Sequence, residues 1–145
     1  MLPKTHIIIN LFISLPLLFI LKPIYVLIFF FSSILIDVDH YIYYVFKKKD
    51  LSLKRAYKWF LVGRAKWLKM SQEERKKHKH GFMVFHGIEP LFLVLVLSFF
   101  YQPLFFVFLG FSIHMVEDLI EAIPLQTAKT KLFLSYSIYN YFKKK

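Results

Sequence analysis

Apolar residues gather along this chain in four long runs, 6–21, 24–46, 82–100 and 104–123, set apart by short or strongly basic segments. At 1.5 Å rise per residue, about 20 helical residues cross the roughly 30 Å hydrocarbon layer of a bilayer, with a lower limit of about 17. The run 6–21 is marginal by this measure. Phe19-Ile20-Leu21-Lys22 offers no small-residue cleavage site, so the run reads as an uncleaved anchor and not as a signal peptide. Lys22-Pro23 and Gln102-Pro103 leave room only for tight turns, which pairs the runs into two antiparallel helical hairpins. The expected fold is all-α: residues 1–145 form a single membrane domain, an integral-membrane bundle of four transmembrane helices with a basic amphipathic helix in the cytoplasmic loop 47–80.

That loop holds 13 of the 20 Lys and Arg residues. With Lys4 and the five lysines after Pro124, every basic residue except Lys22 falls on one side of the bundle. The positive-inside rule then places the loop and both termini in the cytoplasm of a multi-pass cell-membrane protein. Leu53, Tyr57, Phe60, Leu61 and Leu68 recur at helical spacing in the loop, with Trp59 and Trp67 beside Lys54, Lys58, Lys66 and Lys69. Two readings fit: a helix lying on the anionic leaflet, or one that caps the bundle. Ser71 followed by Glu74 is a capping-box signal for a further short helix.

Composition narrows the chemistry. The chain is 57% hydrophobic with a mean hydropathy of +0.50, which excludes an ordinary soluble domain of this length. A net charge of +11 would suit nucleic acid. The basic residues flank apolar spans, however, so membrane lipids are the expected partners and nucleic acid is not. Cysteine is absent, so any metal site must be built from His, Asp and Glu.

The polar residues inside the runs are few and placed alike. His6 opens the first run, Asp37, Asp39 and His40 lie near the end of the second, His86 and Glu89 open the third, and His114, Glu117, Asp118 and Glu121 end the fourth. In an up-down-up-down bundle all four places lie at one level, just inside the cytoplasmic face. The last four residues follow i, i+3, i+4, i+7 on one helix face, and Asp37 and His40 share a face, while Asp39 points elsewhere unless the backbone loosens. The runs 24–46 and 82–123 hold six carboxylates and no Lys or Arg. A buried acid costs about 2.5–3.5 kcal/mol near a helix centre, so this charge calls for a cation: one or two divalent ions, Zn or Mn, are expected, the alternatives being loop lysines that reach in or acids that stay protonated.

The same residues carry a resemblance. Thr5-His6, Asp37-Val38-Asp39-His40, the stretch from His80-Gly81 to His86, and His114 with Asp118 resemble the motifs of the YdjM-like membrane-bound metal-dependent hydrolases. The family pattern HRGxTH departs here to His80-Gly81-Phe82-Met83-Val84-Phe85-His86, which lacks its Arg and Thr. The resemblance implies hydrolysis by a metal-activated water. The expected ligands are Asp37, His40, His86, His114 and Asp118, with Asp39 and His6 as further ligands or orienting groups. Glu89 is the expected general base and Asp39 a second catalytic carboxylate. Whether His80, Glu117 and Glu121 belong to the site is open. The basic surroundings favour an anionic small-molecule or lipid substrate, a phosphoester cleaved by a phosphodiesterase. A divalent metal transporter and a metal-binding structural membrane protein are the alternatives, and the oligomeric state is open.

Overall fold

A computed structural model describes residues 1–77, 81, 83–128 and 132–143. Among these the chain is all-helical: α1 (Pro3–Leu17), α2 (Pro23–Leu35), α3 (Val38–Lys48), α4 (Leu53–Leu68), α5 (Gln72–Lys77), α6 (Ile88–Ser98), α7 (Pro103–Ala122) and α8 (Leu134–Lys143). Prolines at the first position start α1, α2 and α7, where their missing N–H has no helical partner to lose. Ser71 and Glu74 form the reciprocal capping box ahead of α5: Glu74 accepts from the Ser71 amide at 2.7 Å, and Ser71 Oγ accepts from the Glu74 amide at 3.3 Å.

Two stretches, Pro23–Lys48 and Pro103–Ala122, are helices long and apolar enough to cross a membrane. The other two apolar runs yield shorter helices. α1 has 15 residues and gives way to turns after Leu17, one residue beyond Pro16. Among the described residues of the run 82–100 only Ile88–Ser98 is helical, 11 residues or about 17 Å. Residues 84–87 form bends ahead of it, ending at an extended Gly87.

The stretch Pro23–Lys48 is itself broken. α2 ends at Leu35 and α3 begins at Val38, and across the junction the Asp37 amide bonds to the Ile34 carbonyl and the His40 amide to the Asp37 carbonyl, each three residues back. The tightened turn lets Asp37 and Asp39 both face inward, which a continuous helix would forbid.

α2 packs most extensively on α7, α7 also holds α6, and α1 lies along α2. Gly110 makes the α2–α7 crossing close: a Cβ there would lie 2.2 Å from Ser32 Oγ, 2.6 Å from the Phe29 carbonyl and 2.9 Å from the Ser33 amide. The core mixes buried apolar residues such as Val26, Phe29, Ile36 and Phe106 with buried polar ones, and along α1 the polar side chains face in. On α1 the buried residues are His6, Asn10 and Ser14, one turn apart, while Ile8, Leu11, Phe12 and Leu15 face outward. Water would not tolerate that inversion over so large a surface, and hydrocarbon favours it.

Candidate metal centre

The interior polar groups meet where α1, the α2–α3 break, the segment before α6 and the last turns of α7 converge. Among the described residues three overlapping groups could hold a metal ion: His6, His114 and Asp118; Asp37, His86 and His114; and Asp39, His40 and His86. In each, one ligand atom per residue lies within 4.8 Å of the others. All seven residues read as ligands from the sequence are thus brought together. His80 lies outside the described residues.

Hydrogen bonds define the ring orientations. His114 Nδ1 donates to the Ser33 carbonyl at 2.7 Å, since a carbonyl can only accept. His86 Nδ1 donates to Asp39 Oδ2 at 3.1 Å in the same way. Each neutral ring therefore presents a lone pair at Nε2, and these two nitrogens face each other at 3.2 Å. Asp37 Oδ1 joins them, 3.4 Å from His86 Nε2 and 3.5 Å from His114 Nε2. Asp118 Oδ2 lies 3.8 Å from His86 Nε2. Four acceptor atoms so placed repel one another unless a proton or cation lies among them. Ligands around tetrahedral zinc, with bonds of about 2.0–2.1 Å, are separated by roughly 3.3–3.4 Å, so this donor set fits the ion.

Asp39 is fully engaged in orientation. Its Oδ1 takes His40 Nδ1 at 2.9 Å, and its Oδ2 takes both His86 Nδ1 and the Phe85 amide at 3.1 Å. These bonds fix the His86 and His40 rings, as carboxylates behind metal-bound imidazoles do, and Asp39 also belongs to the third candidate metal group. His6 stacks on His114, ring centroids 4.0 Å apart. Its Nδ1 pairs with Glu117 Oε2, while its Nε2 is buried without a hydrogen-bond partner and lies 3.6 Å from Asp118 Oδ1. Asn10 supports this pair by donating to the His6 carbonyl at 2.9 Å and to Glu117 Oε2 at 3.4 Å.

Two acids lie elsewhere. Glu89, the expected base, belongs to none of the three groups. Its oxygens accept from the Leu134 and Ser135 amides, both at 2.9 Å, and so cap the first turn of α8. Its spacing from His86 implied a shared helix face, but the helix starts only at Ile88, after both the bend and His86. Glu121 pairs with Arg64 of α4. The cluster is deeply buried at His6, His86, His114, Asp39 and Asp118, whereas the side chains of Asp37 and His40 retain 19% and 29% exposure. These two mark the mouth, and Phe60 of α4 leans on the His40 ring at 5.4 Å.

Sequence reasoning missed the Ser33 carbonyl, because any residue can supply one, and Asn10. The spacing of Asn10, one turn after His6, was the available signal. Comparison with protein-family models, with curated proteins and with solved structures finds no match.

Proposed function

We propose that the protein is a membrane-bound, metal-dependent hydrolase that acts on a phosphoester at the cytoplasmic membrane face. The observation that carries this reading is the convergence of Asp37 Oδ1, His86 Nε2 and His114 Nε2, all acceptors, in a buried site that opens beside basic residues. Resemblance to the YdjM-like hydrolases at Asp37 to His40 and at His114 with Asp118 agrees with it. The bundle has four spans in this reading, α1 and α6 completing theirs with the non-helical residues beside them, and both termini cytoplasmic. Reporter fusions after Lys22 and after Lys66 are expected on opposite sides of the membrane; finding both on one side would refute this topology.

Asp37, His86, His114 and Asp118 would hold one ion, with His6 and Asp118 at hand for a second. A divalent ion, Zn or Mn, supplies a water of lowered pKa and an electrophile for the phosphoryl oxygen. The chain supplies the rest. Ser33 and Asp39 fix the two imidazoles, Asp37 and His40 border the opening, and with a single ion bound His6 Nε2, backed by Glu117 at Nδ1, would be open to take a proton and pass it on.

In proteoliposomes, the wild-type protein with added Zn or Mn is expected to release product from an anionic phospholipid or a soluble phosphodiester, and a chelator to stop it. Glu117→Gln should keep the metal and lower turnover by about 100-fold, the scale of general-base loss. No chelator-sensitive release from either substrate class would sink the hydrolase. A chelator-sensitive flux of divalent ions instead would establish the transporter, a reading favoured by the buried, unpartnered oxygens of Asn10 and Ser14 farther along α1.

A further inference from the structure

The corner between α3 and α4 holds a second feature, separate from the metal centre. Lys49 closes α3 in the left-handed conformation, φ 55°, and the chain doubles back into α4 at Ser52. Asp50 locks the corner: it accepts from Arg55 Nε at 2.7 Å, from Arg55 Nη2 at 2.6 Å and from the Ser52 amide at 3.0 Å. The guanidinium holds the Asp50 carboxyl well below the usual carboxylate range, so the pair stays ionised and its charges offset.

Beside this lock lies an open cavity of about 290 Å³, lined by Tyr44, Lys48, Arg55, Lys58, Trp59 and Val62. The lining contains three cations and no carboxylate. Because Asp50 is committed to Arg55, Lys48 and Lys58 leave the cavity about two charges positive. Its remaining wall is aromatic and aliphatic. The Trp59 ring lies 5.7 Å from the Tyr44 ring, and Lys48 Nζ sits 5.9 Å above the indole. Cations above an apolar wall match a molecule with an anionic head and a hydrocarbon tail. Position supplies the second argument: Lys48 is the last residue of Pro23–Lys48, a stretch long and apolar enough to cross a membrane, so the cavity lies where such a helix leaves the hydrocarbon.

The geometry points to a binding site for one anionic glycerophospholipid at the α3–α4 corner, its phosphate held by Lys48 and Lys58 and an acyl chain laid along Trp59 and Val62. The lipid is a fixed ligand here, not the molecule that is hydrolysed, and it would pin α4 to the leaflet beside the mouth of the metal centre. Trp59 provides the probe, in a Trp67→Phe background that leaves it as the lone tryptophan.

The full-length protein would be reconstituted into phosphatidylcholine vesicles containing a small fraction of acyl-brominated lipid, and quenching of Trp59 followed. Brominated phosphatidylglycerol is expected to quench at several-fold lower mole fraction than brominated phosphatidylcholine. Lys48→Gln with Lys58→Gln should remove most of that several-fold preference, since each cation near a membrane surface adds to the attraction for an anionic headgroup. Lys54→Gln with Lys66→Gln makes the same change of charge on α4 outside the cavity and should leave most of the preference. Equal quenching by both lipids, or equal loss in both double variants, overturns the site in favour of diffuse attraction. Relief of quenching by millimolar inorganic phosphate would overturn the lipid as occupant and assign the cavity to a soluble anion. None of these readouts depends on hydrolysis, so the site stands or falls apart from the enzymatic reading.

Discussion

His114→Ala is expected to strip the protein of most of its divalent metal. Purified in mild detergent, the wild type should carry about one or two ions per chain, the number that such a His and Asp set can hold. His114, like His86, belongs to two of the three ligand groups, so its loss opens both. Asp37→Ala removes the oxygen that faces both Nε2 atoms and should have a similar effect. Asp39→Asn provides the contrast. It keeps every ligand atom facing the centre and loses only the charged acceptor behind His86, so metal affinity should fall by about 10- to 100-fold without being abolished. Elemental analysis of the three variants decides the matter, and full metal content in both alanine variants would disprove the assignment of ligands.

Gly110→Ala is the second large expected effect, and it acts without touching a ligand. The new methyl would meet the Phe29 carbonyl at 2.6 Å and the Ser33 amide at 2.9 Å, and backbone of a packed helix cannot turn aside as a side chain can. α2 and α7 must separate, at the cost of about 1–3 kcal/mol typical of overpacking. His114 lies one turn beyond Gly110, and its bond to the Ser33 carbonyl spans that same crossing at 2.7 Å. Separation therefore weakens the metal centre along with the bundle. The expected result is a lower melting temperature in detergent and reduced metal content. Gly63→Ala, where nothing lies within 4 Å of an added Cβ, should be neutral or stabilising by up to about 1 kcal/mol, because alanine suits an exposed helix better than glycine. Indistinguishable melting of Gly110→Ala and the wild type would rule out the close crossing.

Much of the site was legible in the sequence because it rests on helical spacing in the last turns of α7. His114, Glu117 and Asp118 do share the buried face that the i, i+3, i+4 pattern predicts. The same rule failed for Glu89, since spacing has meaning only inside a continuous helix, and hydropathy does not register that the backbone between 84 and 87 is bent. The break after Leu35 entered the sequence reading only as the condition for Asp39 to join Asp37 and His40. No Pro or Gly marks it, and the local sequence Leu35-Ile36-Asp37-Val38 is as apolar as its neighbours. What favours the break is tertiary: two carboxylates two residues apart each meet imidazoles from another part of the chain. α6 is shorter than its apolar run because apolar composition extends before Ile88 as well as after Ser98, and α1 ends at Leu17, four residues before its run does.

The interrupted backbone at Ile36 and Asp37 also gives α3 the mechanics of a lever. The fulcrum carries Asp37, one of the groups facing the buried imidazoles, and the far end, 11 residues or about 16 Å away, is Lys48 at the corner cavity. A ten-degree change in the angle between α2 and α3 would carry Lys48 through about 3 Å while moving Asp37 hardly at all. Displacement at the tip beside the corner cavity would thus be geared down to sub-ångström adjustment at the fulcrum, the scale on which distances around a metal ion are decided.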